Sequence, residues 1–542
     1  MAAISPPTRR YSAPAWSSWL RTEREFEMSG WGSGYITDIA YIPGFYQAQM
    51  QSTMALAALL SGKKARLVGR HEAYHYADIG CGLGMSALIV AAANPGWQVT
   101  GLDFNPAHVA AAREMARQTG LSNISFIEAD FTNFAESTAC QALPEIDTVS
   151  MHGVWSWVAP AVQDGILRLL NAKLAAGGLM HVSYNVLPAW RGALGLQRLI
   201  REAGLRHGGR SDKQARAGAD IAVRLAKDEA GSKFLEGMGN VLLDRIGNLP
   251  VPYLAHEFMN RHWAPCFHLD VAERFASAKM VFVGSCQMLD NFPQLSLSEG
   301  QRAILQEFDD PGMAELIKDL CMGRSLRNDV FMRGAVPMPL AQRDAALLSM
   351  TVALSKPRAE CKLEFDTIGG TASLSPSYYE PVFDRLSQGP ATIEELLALP
   401  DLVGRRDNPA ELIGVLMGTN QAVLVPNPGA PMDRRCTALN AASVTQRGGD
   451  IGETGIGFAV PALGGGFAIP GIAAIAVLNQ QAALSDETPG LVLQRPSPPT
   501  IDRWIDQLEP AADDARRGEF MTVFRKFFDE FAPVLNDLGI PC

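Results

Sequence analysis

The sequence predicts an α/β protein: a parallel sheet with crossover helices, a helical insertion, and further, mainly helical, C-terminal domains. Three observations carry this. Between about residues 74 and 185 short apolar runs alternate with segments of helical period, the signature of parallel strands joined by crossover helices. Beyond Pro188 the pattern turns helical over a stretch too long to be a loop. Near residue 280 one apolar strand returns. A chain of 542 residues has room for roughly three or four domains.

Five strands are expected at Tyr74–Ile79, Gln98–Phe104, Ile124–Ala129, Ile146–Met151 and Leu179–Tyr184. Helices are expected at Met85–Ala93, Ala107–Gln118 and Val162–Leu174, with Asn94-Pro95-Gly96 and Gly177-Gly178 as stops. The insertion reads as helices over Leu194–Gly204 and Lys213–Gly239 with a short run to Ile246. Asp270 is placed to cap Val271–Ala278, which runs into the strand Met280–Val283, a late strand of the same sheet. Further helices are expected at Leu305–Met322, Ala341–Ala353, Ile393–Leu399 and Glu411–Met417, and a charged amphipathic stretch at Arg503–Leu538. The expected divisions are an N-terminal segment with an aromatic lid (1–50), the cofactor domain (51–190), the insertion with the late strand (191–300), a middle domain (301–430) and a C-terminal domain (431–542).

A composition 47% hydrophobic and 19% charged is that of a chain with large cores. The net charge of -10 disfavours a nucleic-acid partner, whose phosphates call for clustered Lys and Arg. The eight cysteines show no zinc spacing and read as free thiols of a reducing, cytoplasmic compartment, with no metal implied. Arg9 and Arg10 are interrupted by prolines with no apolar core behind them, so residues 1–30 read as a loose leader. The uncharged stretch Ile456–Gln480 has the length of a membrane span, but Pro461, Pro470 and Gly464-Gly465-Gly466 favour a buried strand, turn and helix over stable membrane insertion.

The first strand ends in Asp78-Ile79-Gly80-Cys81-Gly82-Leu83-Gly84. Gly80, Gly82 and Gly84 form a tight turn opening a helix, a Rossmann-like site where backbone approaches a ligand without side-chain clash. A dinucleotide fingerprint needs glycine at position 85, where Met85 stands, and no phosphate loop occurs in the chain. S-adenosylmethionine carries an ammonium and a sulfonium and no pyrophosphate, so an acidic residue entering the turn, Asp78, suits it electrostatically. Asp103 ends the second strand, where a carboxylate accepts both ribose hydroxyls, with Phe104 and Asn105 in the same loop. Asp130 ends the third and is placed to accept from an adenine amino group, with Phe131 as an apolar wall.

The fourth strand leads into His152-Gly153-Val154-Trp155-Ser156-Trp157 and the fifth into Tyr184-Asn185, both at the ligand edge. Trp155 and Trp157 offer aromatic faces to a cation, or cap the sheet as packing residues. Tyr184, His152 and Asn185 are the catalytic candidates, with no sharply defined base expected. Tyr35 and Asp38, in the aromatic segment Tyr35–Tyr41, are placed on the substrate side as part of a lid. His256-Glu257 lacks the second histidine of a metalloprotease helix and reads as a hydrogen-bonded structural pair.

These residues resemble a family: bacterial class I methyltransferases with a methyltransferase regulatory domain, to which the rickettsial outer-membrane-protein lysine methyltransferases belong. The resemblance rests on Tyr35–Phe45, Asp78–Gly84, His152–Val158, Ser183-Tyr184-Asn185 with Pro188 and Trp190, Tyr253–Glu257, Trp263, Pro265 and Phe282–Ser285, and runs from about Tyr35 to Gly334. It implies S-adenosylmethionine as cofactor, lysine side chains of a protein as methyl acceptor, and a homodimer. The residues alone also admit a small-molecule N- or O-methyltransferase, or a non-catalytic cofactor-binding regulatory protein.

Overall fold

In the computed structural model, residues 44–228, 238–367, 370–402, 408–447, 455–469 and 513–540 are described, with positions 32, 34–39, 404, 474, 502, 505 and 506. The leader and Tyr41 lie outside them. The central sheet is built from β1 (Tyr74–Ile79), β2 (Trp97–Asp103), β3 (Ile124–Glu128), β4 (Ile146–Met151), β5 (Leu174–Asn185), β6 (Met280–Ser285) and β7 (Leu326–Arg333). Its order is β3-β2-β1-β4-β5-β7-β6. Strands β1 to β5 pair in parallel, and β7 runs antiparallel to both β5 and β6. The order reverses between β1 and β4, and the crevice at their carboxyl ends is where such sheets take ligands.

Helices α1 (Gln51–Leu60), α2 (Met85–Ala93), α3 (Pro106–Gln118), α4 (Thr138–Ala142) and α5 (Pro160–Lys173) belong to this layer. Helix α2 is buried on all sides, because its second face is covered by the C-terminal region. Helix α3 begins where Asn105 accepts from the Ala107 amide, with Pro106 in the first turn. The insertion holds α6 (Leu194–Leu205), α7 (Ser211–Ala226), α8 (Met238–Ile246), α9 (Val251–Phe258) and α10 (His268–Ala276). The apolar faces of α6 to α9 form one core with Ile39, Trp157, Trp190 and Trp263, while α10 packs Val271 and Phe275 into the core of the sheet.

Several expectations are corrected. Asp270 does not cap α10; it sits in the first turn, and Phe267 is the capping residue. The expected long helix after Lys213 ends at Ala226, and 229–237 lie outside the described residues. Pro311, capped by Asp310, starts a new helix inside the expected Leu305–Met322. The run Ala341–Ala353 is a helix to Leu348 followed by β8 (Thr351–Leu354), where β-branched Thr351 and Val352 enter a small sheet. The main sheet also extends past residue 300. Strand β7 escapes hydrophobic patterning because Arg327, Asn328 and Asp329 are buried among polar partners.

The uncharged stretch opens as a hairpin, Ile456–Val460 with Gly465–Ile469, so a second strand follows the turn; of its remainder only Ala474, buried, is among the described residues. A Cβ at Gly465 would stand 1.9 Å from the Met50 sulfur, so the glycine lets this hairpin ride directly on α2 and its neighbours. Among the described residues no helix is long and apolar enough to cross a membrane.

Candidate functional site

A cavity of about 390 Å³ opens at the carboxyl edge of β1 to β4. Its floor is the glycine turn, with Gly80, Gly82 and Gly84 at φ 71°, 55° and 79°, a region that disfavours side chains. The Gly80 and Cys81 amides donate to the Leu102 carbonyl at 2.7 and 3.1 Å. A Cβ at Gly80 would stand 2.3 Å from Val154, while one at Gly82 meets nothing within 4 Å, because that face looks into the cavity. Gly84 does not line the cavity: it caps α2, and a Cβ there would meet Phe126 at 2.6 Å.

Asp78 is buried and lines the cavity. Gln49 Nε2 bridges it (3.1 Å to Oδ1) to Ser150 Oγ (2.9 Å). Burial, with Asp103 nearby, pushes the Asp78 carboxyl up to about 8, against the Gln49 hydrogen bond. Asp103 accepts from the Gly82 amide at 2.8 Å on Oδ2 and from the Asn105 amide at 2.8 Å on Oδ1, and His108 Nδ1 lies 3.3 Å from Oδ1. It therefore joins the strand end to the turn and keeps lone pairs for further donors. Asn105 points away, into its capping bond. Phe104, Asp130 and Phe131 complete this end, Asp130 being exposed and holding Thr132 through its amide (3.0 Å) and hydroxyl (2.5 Å).

At the other end stand Tyr46, His152 and Trp157, with Tyr35 reaching back to Phe104. Tyr46 stacks on His152 with ring centroids 3.8 Å apart, and Tyr35 meets Phe104 edge-on at 5.6 Å. Burial and the neighbouring His181 push His152 down to about 3, so the imidazole is neutral and a weak proton acceptor. Its Nδ1 is buried with no hydrogen-bond partner among the described residues.

Four expected residues stand elsewhere. Tyr184 is fully buried, its hydroxyl donating to Asp329 Oδ2 at 2.5 Å beside His268 Nδ1 at 3.1 Å. It does not line the cavity, and burial and the Asp329 charge push that phenol well up. Trp155 packs in the core against Phe275, 5.0 Å between centroids, while Trp157 two residues on faces the cavity. Asn185 donates to Glu257 Oε1 at 3.0 Å. Asp38 accepts from the Ser211 amide at 2.8 Å at the start of α7. Sequence reading did not single out Gln49 and Tyr46, which line the cavity; Tyr46 follows the aromatic residues that precede the sheet, and Gln49 carries no local signal. His256 and Glu257 do not bond one another: His256 Nε2 meets the Ile39 carbonyl at 3.2 Å, and Glu257 turns to Asn185 and Trp263.

The residues present fit a cationic adenosyl cofactor: an open glycine cradle, a buried carboxylate with no Lys or Arg partner among the described residues, and acidic ends on β2 and β3. Fold and cavity are those of a class I S-adenosylmethionine-dependent methyltransferase. Residues 70–197 match a methyltransferase domain, and residues 251–333 match a predicted methyltransferase regulatory domain. The chain is 30% identical over 370 residues to the uncharacterized protein sll1526 of Synechocystis sp. (strain ATCC 27184 / PCC 6803 / Kazusa), covering 68% of this chain and 71% of that protein. It belongs to that family of methyltransferases bearing the regulatory domain. The uncharacterized protein RP028 of Rickettsia prowazekii (strain Madrid E) is 32% identical over 130 residues, 24% of this chain and 48% of its own length. Among solved structures, PKMT2 from Rickettsia typhi superposes with a TM-score of 0.61 at 14% identity, covering 92% of this chain and 99% of that one. Its complex with AdoHcy gives 0.61 at 16% identity, covering 90% and 98%.

Proposed function

We propose that this methyltransferase acts on lysine side chains of a protein substrate. The observation that carries the reading is the aromatic lining of the cavity, where Tyr35, Tyr46 and Trp157 stand with the neutral His152 and, among the described residues, no Lys or Arg lines the wall. Aromatic faces attract an ammonium and exclude water from it. A lysine of ordinary pKa about 10.4 must lose a proton before it attacks, at a cost of roughly 4 to 5 kcal/mol at pH 7. Desolvation among aromatic rings lowers that cost. His152 is too weakly basic to take the proton fully, so positioning carries the larger share of the rate.

Bound S-adenosylmethionine supplies a methyl group activated by its sulfonium. In this reading Asp78 meets the cofactor's positive charges, Gly80 and Gly82 admit it to the backbone, Asp103 accepts the ribose hydroxyls, and Asp130 with Phe131 and Phe104 receive the adenine. The sequence resemblance to lysine methyltransferases and the shared fold with PKMT2, solved with AdoHcy, support the reading. Incubating a cell extract with the enzyme and methyl-labelled cofactor, then mapping the label by mass spectrometry, is expected to place it on lysine Nζ. Label on small molecules alone would overturn the proposal.

A further inference from the structure

Behind the cavity carboxylate Asp78 a buried polar row crosses the sheet. The register sets Asp78 opposite Ser150 and Ser150 opposite His181, on β1, β4 and β5. His181 faces Val330 on β7, and Asn328 stands two positions along that strand, on the same face. Strand β7 lies within residues 251–333, the regulatory domain. Gln49, in the turn Gln47–Gln49 ahead of α1, closes over Asp78. All five residues are buried, and each joins the next. Gln49 Nε2 reaches Asp78 Oδ1 at 3.1 Å and Ser150 Oγ at 2.9 Å, Ser150 Oγ lies 3.2 Å from His181 Nδ1, and His181 Nε2 lies 3.1 Å from Asn328 Oδ1.

These bonds run in one direction. An amide oxygen only accepts, so His181 carries its proton on Nε2 and donates it to Asn328. Burial pushes His181 down to about 4, so the ring is neutral and Nδ1 is left as an acceptor. The donor that stands there is the Ser150 hydroxyl. With its one proton spent on His181, Ser150 Oγ accepts from its other neighbour, which must then be a nitrogen, Gln49 Nε2. The second proton of that nitrogen goes to Asp78. Turning the amide over would set Oε1 against an Asp78 oxygen and leave the Ser150 acceptor unmet, in an interior where unmet polar groups destabilise.

We propose that Asn328 and His181 are positioning residues for the cofactor: through Ser150 they lock the Gln49 amide with its nitrogen toward Asp78, which holds the Asp78 carboxylate ready to accept from the ammonium of S-adenosylmethionine. This rests on Asp78 meeting the cofactor's positive charge and is independent of which acceptor is methylated. It gives the regulatory domain a part in setting the cofactor site, because Asn328 is the end that fixes the direction. Without the Asn328 oxygen the His181 proton is free to move to Nδ1. Ser150 then accepts from His181 and donates to Gln49, and the amide turns its oxygen toward Asp78. An amide oxygen beside a carboxylate repels it, and the ammonium is held less tightly.

The test is calorimetry on the full chain with two ligands: S-adenosylhomocysteine, and methylthioadenosine, the same adenosyl thioether without the amino-acid end. Asn328→Leu is expected to weaken S-adenosylhomocysteine about fivefold, the worth of one hydrogen bond, and to leave methylthioadenosine unchanged. Equal weakening of both ligands, as a merely structural role would give, overturns the proposal, and so does no weakening of either. The tautomer supplies a measurement that needs no substitution: NMR of the histidine rings in wild type is expected to show His181 neutral with its proton on Nε2. A proton on Nδ1 there overturns the lock. Asp78→Asn reads the underlying assignment, and is expected to remove most of the preference for S-adenosylhomocysteine over methylthioadenosine. If that preference survives, Asp78 is not the partner of the ammonium and the proposal falls with it. The lysine reading is tested separately, by the label in the extract experiment.

Discussion

Two sets of buried carboxylates, one behind β7 and one toward the cofactor and regulatory side, differ in how their charge is met. Behind β7, Asp329, Asp319 and Glu315 are interleaved with Arg327, Arg324 and Lys318: Arg327 donates to Asp329 at 2.9 Å, to Asp319 at 2.8 Å and to Glu315 at 2.6 Å. Although burial pushes Asp329 up, the Arg327 guanidinium, His268 and Tyr184 hold it well below the usual carboxylate range. Asp78 at the cavity and Glu257 on α9 have no such cation among the described residues, and burial leaves them at about 8 and about 7. The first cluster meets each carboxylate with a cation, although burial still raises Asp319, and it ties β7 to the helix Pro311–Met322. The second is electrostatically incomplete, which at Asp78 is the condition of a site that waits for a positively charged ligand.

The largest effect that tests this contrast is on stability. Arg327→Ala leaves three carboxylates facing one another in the interior and is expected to cost about 3 to 5 kcal/mol in denaturant unfolding. Asp78→Asn is expected to leave the unfolding midpoint near neutral pH unchanged, since the buried carboxyl is already protonated there. The same change is expected to weaken S-adenosylhomocysteine binding by calorimetry, by about 1.5 to 3 kcal/mol. If Asp78→Asn destabilises the protein as Arg327→Ala does, the distinction between the two clusters fails.

The pH response follows at a smaller scale. Unliganded Asp78 is protonated below about pH 8, and a cationic ligand favours the carboxylate. Cofactor binding should therefore release a proton and strengthen with pH, by up to about tenfold per unit, levelling near pH 8. Stability of the unliganded protein runs the other way. The folded-state value lies above the ordinary 3.8, so this group's contribution is present below that pH and lost as the pH rises to about 8. Calorimetry in buffers of different ionisation enthalpy reads the proton release, and its persistence in Asp78→Asn would remove Asp78 as the source. The smallest effect is at Asn105. Its side chain caps α3 and turns from the cavity, so Asn105→Ala should cost about 1 kcal/mol of stability with little change in cofactor affinity.

The cofactor end was legible because each of its residues stands at the end of a local element: a strand, then a turn whose glycines or acid are demanded by backbone geometry. Asp78, Gly80, Gly82, Asp103, Asp130 and Phe131 all line the cavity. The acceptor side was legible only in composition. Trp155 and Trp157 are two residues apart and equally aromatic, yet the short 3-10 turn that carries them sends one into the core and the other to the cavity. Tyr184, at the end of β5, points to the face that meets Asp329, which no pattern along β5 records.

By itself the sequence determined the parallel strands, the glycine turn and the acidic strand ends, and hence the methyl donor, because these follow from period, turn chemistry and spacing within about sixty residues. Only the tertiary structure decided which buried charges are paired. Arg327 neutralises a cluster hidden from hydrophobic patterning, while Glu257 crosses 72 positions of sequence to meet Asn185 and finds no cation. Charge compensation is a property of neighbours in space, and a chain read residue by residue does not contain it.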